Sequence, residues 1–326
     1  MAIIKPEAMD FSKQTFSMII YGSPGTGKTT MALSAPKPLL LDFDNGISRV
    51  RAEHRKDTSV CDDYEGVLAD IASPAMKDYE TVVIDTGGSF ITFLKDWALR
   101  TRPGCKTKDG TFNSMRGFGE VKNEFARFTE QITKTMHKNV IYVFHSVESA
   151  DKDGNPIQRL MCEGSTKNTV WTPCDFGGYL QMIGNDRYLC FTPEQEYFAK
   201  GTHGITGKIK VPELAAGVKN DFITKLFDLA RKNIQKESDV FTPKKKQYET
   251  VMAQVDAILA AVNDIEGLNA ALTTIGSLNH ALTSRSEAGK KTNAKGRALG
   301  AVYNKAKNAY IPKETKKDAE NHANAS

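Results

Sequence analysis

The sequence predicts an α/β protein, a mainly parallel central sheet flanked by helices, on three observations. Short apolar runs alternate with amphipathic stretches from the N-terminal region to about residue 230. A glycine-rich loop separates the first apolar run from a helix-forming segment. Later apolar runs end in Asp or His, and the long loops that follow them lie at the carboxyl edge, where open parallel sheets bind ligands.

Phe16-Ser17-Met18-Ile19-Ile20-Tyr21 reads as a short buried strand, and Gly22-Ser23-Pro24-Gly25-Thr26-Gly27-Lys28-Thr29 follows it with the spacing G-x-x-x-x-G-K-[ST]. Thr29 to Leu33 continue as a helix that Pro36 stops. Strand, glycine loop and helix are what a phosphate cradle needs. Glycines let successive backbone N–H groups turn toward phosphate oxygens, and the helix N-terminus adds its partial positive charge. Gly22, Ser23, Pro24, Gly25, Thr26, Gly27, Lys28, Thr29 and Thr30 are therefore the expected nucleotide contacts, with ATP and Mg2+ as ligands. Lys28 would reach the terminal phosphates and Thr29 the magnesium; a plain glycine turn is the alternative.

Further strands are expected at Leu39 to Phe43, Thr81 to Asp85, Val140 to Phe144 and Tyr188 to Phe191, with Tyr179 to Ile183 pairing antiparallel with the last across Gly184-Asn185-Asp186. Helices are expected at Tyr64 to Ile71, Phe90 to Leu99 and Phe118 to Met136. Residues 102–117, 146–170 and 192–210 read as long loops, which usually carry function or disorder.

Composition narrows the class. The 326 residues are 40% hydrophobic and 25% charged, enough for one large core and a smaller unit. The N-terminus lacks the continuous apolar stretch of a secretory signal and no run reaches the ~20 residues of a membrane span, so a cytoplasmic protein without membrane contact is expected. Five cysteines at scattered spacings, with no C-x-x-C pair, suggest free buried thiols. The net charge of +5 is unevenly placed. Arg285 to Lys307 carries seven basic residues against Glu287, and Arg100 to Arg116 five against Asp109. Either stretch suits a phosphate backbone or a solvated face.

Three further strand ends carry the candidate chemistry. Asp85 closes Thr81-Val82-Val83-Ile84, the usual form of the acid that holds magnesium through water, so Thr29 and Asp85 are the metal candidates. Asp42 and Asp44 end Leu39-Leu40-Leu41-Asp42-Phe43-Asp44 on one strand face, and one of them would orient the attacking water. Asp44 also precedes Asn45-Gly46, so turn chemistry is its alternative. His145 ends Val140 to Phe144 near the expected γ-phosphate, as a sensor of hydrolysis or as a locally bonded histidine.

In order and spacing, the segments IIYGSPGTGKTT, LLLDFDNG, TVVIDTGG and VIYVFHS resemble the RecA-like core ATPases of bacteriophages, a family linked to single-strand annealing and recombination. The resemblance spans about residues 14 to 232. It implies a RecA-like P-loop NTPase fold, ATP hydrolysis, single-stranded DNA as partner, and a homo-oligomer, ring or filament. Asp44 resembles the water-activating carboxylate, although glutamate is usual there, and Asp85 the magnesium acid. His145 stands where RecA has glutamine, so 146–170 would be the following DNA-binding loop and 102–117 the earlier one. Lys208 and Lys210, in Gly207-Lys208-Ile209-Lys210, resemble the basic residues that reach the γ-phosphate of a neighbouring subunit; lysines protecting an edge strand are the alternative.

Loops that grip single strands need cations for phosphates and flat groups for bases, each stacked base contributing about 1–3 kcal/mol. Lys106, Lys108, Phe112 and Arg116 supply both kinds in the first loop, and Arg159, Lys167 and Trp171 around the second, with Trp171 equally suited to core packing. The expected layout is an ATPase core over 1–233, a linker over 234–249, a small basic helical domain over 250–312 and a disordered tail over 313–326. In the helical domain Val251 to Val262 form one helix, Leu268 to Leu272 and Leu278 to Leu282 two short ones, and Ala294 to Ala309 a basic fourth. That helix would anchor DNA or dock a partner such as a single-strand-binding protein. Two other classes stay open on the P-loop alone: a small-molecule kinase, for which Arg49, Arg51 and Arg55 would serve a lid, and a non-catalytic nucleotide switch.

Overall fold

The computed structural model describes residues 10–313 apart from 152, 164, 165, 215 and 216; the tail expected over 313–326 lies, from 314 on, outside the described residues. The chain divides into two compact units, one covering Asp10–Ile234 and the other beginning at Gln235.

In the first unit the elements run β1 (Ser17–Gly22), α1 (Lys28–Ala32), β2 (Pro38–Asp42), β3 (Thr58–Val60), α2 (Tyr64–Ala72), β4 (Thr81–Asp85), α3 (Gly87–Thr101), α4 (Ser114–Glu130), β5 (Asn139–Ala150), β6 (Pro156–Leu160), α5 (Thr166–Thr169), β7 (Phe176–Ile183), β8 (Asp186–Cys190) and β9 (Lys208–Val211), and α6 (Phe222–Ala260) follows. The sheet order is β3-β2-β4-β5-β1-β7-β8-β9, with β6 on β5. The strands from β3 to β7 in that order are parallel, and β6, β8 and β9 are antiparallel additions. This is a mainly parallel α/β core built around the glycine-rich loop: β1, the strand before that loop, lies between β5 and β7, and β4, which ends in Asp85, is one strand further out.

Strand period two explains why the sheet is covered on both faces. Ile19, Tyr21, Leu41, Val82, Ile84, Tyr142 and Phe144 pack into one core with α2, α3 and α4. Their alternates Met18, Ile20, Leu40, Val83, Ile141 and Val143 pack into another with α1 and the start of α6. Continuous apolar runs such as Val140 to Phe144 are therefore completely buried. Rings of Phe90, Phe125, Phe128 and Tyr142 tie α3 and α4 to the sheet at centroid distances of 4.6–6.3 Å.

Two of the expected loops are partly ordered elements. Over 146–170, β5 runs on past the sheet and pairs with β6 from Ser146↔Leu160 to Ala150↔Pro156, an antiparallel arm in place of an open loop. Polar and apolar residues are mixed along it, with Val147-Glu148 opposite Arg159-Gln158 and Ser149 opposite Ile157, which a strand pair accommodates. Over 102–117, a 3-10 turn at Pro103–Cys105, a bridge between Lys106 and Phe112 and the start of α4 at Ser114 leave a short turn. The short edge strand β3 had no sequence signal of its own; only its pairing with β2 defines it.

Residues 234–249, expected as a linker, are helical within α6, with Pro243 inside the helix. Lys, Gln and Glu are good helix formers, and they outweigh the stop that Thr242-Pro243 suggests. The second unit continues with α7 (Ile265–Ser277), α8 (Ser284–Ala298) and a hairpin of β10 (Ala301–Asn304) and β11 (Ala309–Pro312). Val251, Val255, Leu259, Leu268, Ile275, Ala288 and Tyr310 form its core. The helix expected over 294–309 thus ends at Ala298, where Gly300 at φ 68 turns the chain into the hairpin, and Leu278 to Leu282 are the α7–α8 connection.

Candidate nucleotide site

Strand register brings the chemistry to one sheet edge. Gly22 is paired with His145, Asp42 with Asp85, and Asp85 with Val143, so β1, β2, β4 and β5 end side by side. Between β1 and α1 the loop turns through Gly25 at φ 77 and Gly27 at φ 87, left-handed conformations that glycine adopts without strain. Gly22 is required for a second reason: a β-carbon there would stand 2.4 Å from the Leu180 carbonyl oxygen of β7.

Lys28 is buried, its Nζ donating to Ser23 O at 2.8 Å and standing 3.4 Å from His145 Nδ1. Burial pushes its pKa down to about 8, and the Asp85 carboxylate opposes that shift. Thr29 Oγ1 donates to Asp85 Oδ2 at 2.5 Å. Burial raises Asp85 to about 6; the Thr29 hydrogen bond works against it, and Asp42 and Asp44 add to it. His145 is held below its usual range by burial first and then by Lys28, so the ring is neutral at pH 7. With Nδ1 facing an ammonium, the proton of that neutral ring belongs on Nε2.

The two acids after β2 have different tasks. Asp42 is buried and accepts hydrogen bonds from the backbone N–H groups of Asp44 (3.2 Å), Gly46 (2.9 Å) and Ile47 (2.9 Å), which shapes the loop. Asp44 is exposed, and Ser89 Oγ donates to its Oδ1 at 2.6 Å. Ser89 is held in turn by Thr86, the N-cap of α3, whose Oγ1 lies 3.1 Å from Ser89 Oγ. Of the two acids, Asp44 is the one free to meet a water, in a cavity of about 450 Å³ lined by Asp44, Thr86, Ser89, His145, Met161 and Glu163.

A cleft of about 190 Å³ runs over Gly25, Gly27, Lys28, Thr29 and Thr30 to Asp85 and His145, and Arg49 lines it as well. The adjacent Thr29 hydroxyl and Asp85 carboxylate offer the hard oxygens that magnesium prefers, with one protein carboxylate leaving room for water and phosphate oxygens. Among the described residues no group of three or more His, Cys, Asp and Glu could hold a metal by itself.

Other expected site residues are placed differently. Lys208 and Lys210 lie on β9 at the sheet's edge, in ion pairs with Glu194 (2.9 Å) and Asp186 (2.7 Å) of this chain. Lys106, Lys108 and Arg116 are exposed. Phe112 is not a free face for a base: its ring fills the space beside Gly117 and meets Phe118 edge-on at 5.3 Å. Trp171, partly buried, packs on Gly177 and against Tyr21 at 5.8 Å, at the margin of the core. Arg159, half-buried on β6 of the arm, lies over the exposed ring of Phe198 at 3.8 Å, a cation–aromatic pair of which the sequence flagged only the arginine. The side chain of Lys167 lies outside the described residues.

A family model described as an AAA domain matches residues 14–203. The chain belongs to the AAA domain family. The matched AAA domain runs from the approach to β1 through β8 and contains Lys28, Thr29, Asp44, Asp85 and His145, but not Lys208 or Lys210. The chain is also similar to the SPbeta prophage-derived uncharacterized protein YorG of Bacillus subtilis (strain 168), at 28% identity over 140 residues, 41% of this chain and 42% of that protein. The alignment thus spans less than half of that relative. Among solved structures, the KaiC-like protein PH0186 from Pyrococcus horikoshii OT3 aligns with 63% of this chain and 93% of its own at 12% identity and a TM-score of 0.33, too low to add to the strand-order argument. Among the described residues no helix is long and apolar enough to cross a membrane.

Sequence reading missed Thr86, Ser89 and Arg187, and offered Arg49 only for the lid of a kinase. Thr86-Gly87-Gly88-Ser89 did carry a signal, a Thr three residues before a Ser at a helix start. Arg187 carried none, because it reaches the P-loop from a distant hairpin.

Proposed function

We propose that this AAA-domain protein binds and hydrolyses ATP with magnesium, and couples that cycle to single-stranded DNA in a homo-oligomer that promotes annealing or recombination. The observation that carries the reading is the convergence of Lys28, Thr29, Asp44, Asp85 and His145 at the carboxyl ends of neighbouring parallel strands.

In this reading the Lys28 ammonium turns from Ser23 O to the terminal phosphate oxygens. Thr29 and Asp85 would hold magnesium, which supplies charge neutralisation to the phosphates when bound. Asp44, fixed by Ser89, orients a water toward the γ-phosphorus; the new P–O bond forms as the bond to the β-phosphate oxygen breaks, largely by positioning. His145, neutral and carrying its proton on Nε2, donates to a γ-phosphate oxygen. Loss of that oxygen on product release would be felt along β5, whose continuation is the antiparallel arm.

The DNA half is supported by the exposed cations Lys106, Lys108 and Arg116 and by the Arg159–Phe198 pair. ATP turnover measured with and without single-stranded DNA tests it. Stimulation together with DNA retention at low salt supports it, and absence of both removes it. A second reading, phosphoryl transfer to a small acceptor, is favoured by the cavity beside Asp44 and His145. In that case phosphate passes to a metabolite, and no inorganic phosphate is released.

A further inference from the structure

Three arginines converge beside the P-loop, none of them in an ion pair within 4.0 Å of a described carboxylate, with Glu213 the one acid that lines the same cavity. Arg49 and Arg51 follow β2, and Arg187 comes from β8; in the sheet these strands lie on opposite sides of β1. All three line one cavity of about 240 Å³ with Thr30, His54, Glu213 and Leu214. None of the three guanidinium groups makes a hydrogen bond or ion pair with a described residue. Elsewhere in the chain, Arg100, Arg102, Arg127 and Arg231 each have a carboxylate within 4.0 Å. Crowding unpaired cations raises the energy of the folded chain unless an anion enters among them.

The position of the cluster says which anion. A β-carbon on Gly27 would stand 2.7 Å from Arg187 Nη1, so this guanidinium rests on the P-loop backbone itself. Arg49 lines both this cavity and the cleft that contains Lys28, Asp85 and His145. Thr30 borders both. His54 is 6% exposed, lines the same cavity, and its Nε2 has no hydrogen-bond partner, lying 3.5 Å from Glu53 Oε1. A polyphosphate lying along Gly27 to Thr30 would thus have Arg49 at one border and Arg187 at the other. Planar guanidinium forks match the paired oxygens of phosphate, which a lysine ammonium does not.

We propose that Arg187, with Arg49 and Arg51, forms a clamp within one subunit on the α- and β-phosphates of the P-loop nucleotide. The proposal rests on the nucleotide reading above and deepens it: this subunit supplies its own arginines on the inner phosphates, whatever a neighbouring subunit contributes at the γ-phosphate. Because the guanidinium of Arg187 is unpaired in the fold, Arg187→Ala removes it without orphaning a partner.

Calorimetric titration of the full chain with the magnesium complexes of ATP and ADP, with inorganic tripolyphosphate and with single-stranded DNA tests the clamp in the parent, Arg187→Ala, Arg187→Lys and Lys28→Ala proteins. The clamp predicts that Arg187→Ala weakens ATP, ADP and tripolyphosphate alike by about tenfold or more, with thermal unfolding before ligand is added unchanged or raised, and partial recovery in Arg187→Lys. Parent-like affinity of Arg187→Ala for all three overturns the clamp while leaving the P-loop reading intact. A loss confined to single-stranded DNA also overturns it and assigns the cluster to nucleic acid. No nucleotide binding by the parent protein sinks the nucleotide reading, and the clamp with it.

Discussion

Nucleotide binding should move protons in a direction that reverses near neutral pH, because the two charged groups that face the phosphates are shifted toward each other. Lys28 lies at about 8 and Asp85 at about 6, both moved by burial. With those values about one Lys28 in ten is neutral at pH 7, half at pH 8 and nine in ten near pH 9. A docked triphosphate restores the ammonium, so each binding event takes up about 0.1, 0.5 and 0.9 proton respectively. Asp85 runs the other way: magnesium favours the carboxylate, so about half a proton leaves near pH 6 and about 0.1 at pH 7. The net is release below pH 7, near zero there, and uptake above it. Calorimetry with the magnesium complex of a non-hydrolysable ATP analogue, in buffers of different ionisation enthalpy, reads this directly. Lys28→Arg, charged throughout, should abolish the alkaline uptake. Binding with no change in proton stoichiometry between about pH 7 and 9, or with uptake that survives Lys28→Arg, refutes the argument. Without nucleotide the same shifts act on stability with opposite signs. Between the folded value of about 8 and the ordinary 10.5, the unfolded chain binds the extra proton at Lys28, so stability rises with pH. Between 3.8 and about 6 the folded chain binds it at Asp85, so stability falls with pH.

Asp44→Asn should bind ATP like the parent and lose turnover by about 100-fold or more, and Ser89→Ala should lower turnover less, through a looser Asp44; phosphate release and analogue binding measured on the same samples check both. His145→Ala should keep basal turnover within a few-fold and lose its response to single-stranded DNA, and retained stimulation would make the residue purely structural. Arg159→Ala removes the cation over Phe198 and should weaken single-strand retention with a reduced dependence on salt, measured by anisotropy across a salt series. Gly22→Ala forces a β-carbon to 2.4 Å from a backbone carbonyl and should destabilise the first unit by about 1–3 kcal/mol, lowering its melting temperature by several degrees.

Much of the core was legible because its signals are local. Apolar runs predicted β1, β2, β4, β7 and β8 within a few residues and the start of β5, and the P-loop spacing located Lys28 and Thr29. What failed also failed for physical reasons. The β5–β6 arm read as a loop because polar residues interrupt it, and its strands are strands only by pairing with each other. The stretch 234–249 read as a linker because a proline looked like a stop, whereas the surrounding residues favour helix. Phe112 and Trp171 read as candidates for stacking on bases, since a sequence does not tell whether an aromatic ring faces solvent or a glycine on the next element.

The amino-acid order alone determined that a phosphate loop stands between a buried strand and a helix, and that acids and a histidine end other strands. Those are properties of neighbouring residues, set by side-chain period and backbone freedom. Only the tertiary structure decided that Asp42 shapes a turn while Asp44 is held by Ser89, that Lys208 and Lys210 are already paired, and that Arg49, Arg51 and Arg187 meet beside Gly27 and Thr30. Each of these depends on which strands become neighbours, and the sheet order that makes them so is a long-range property that no single segment of the chain encodes.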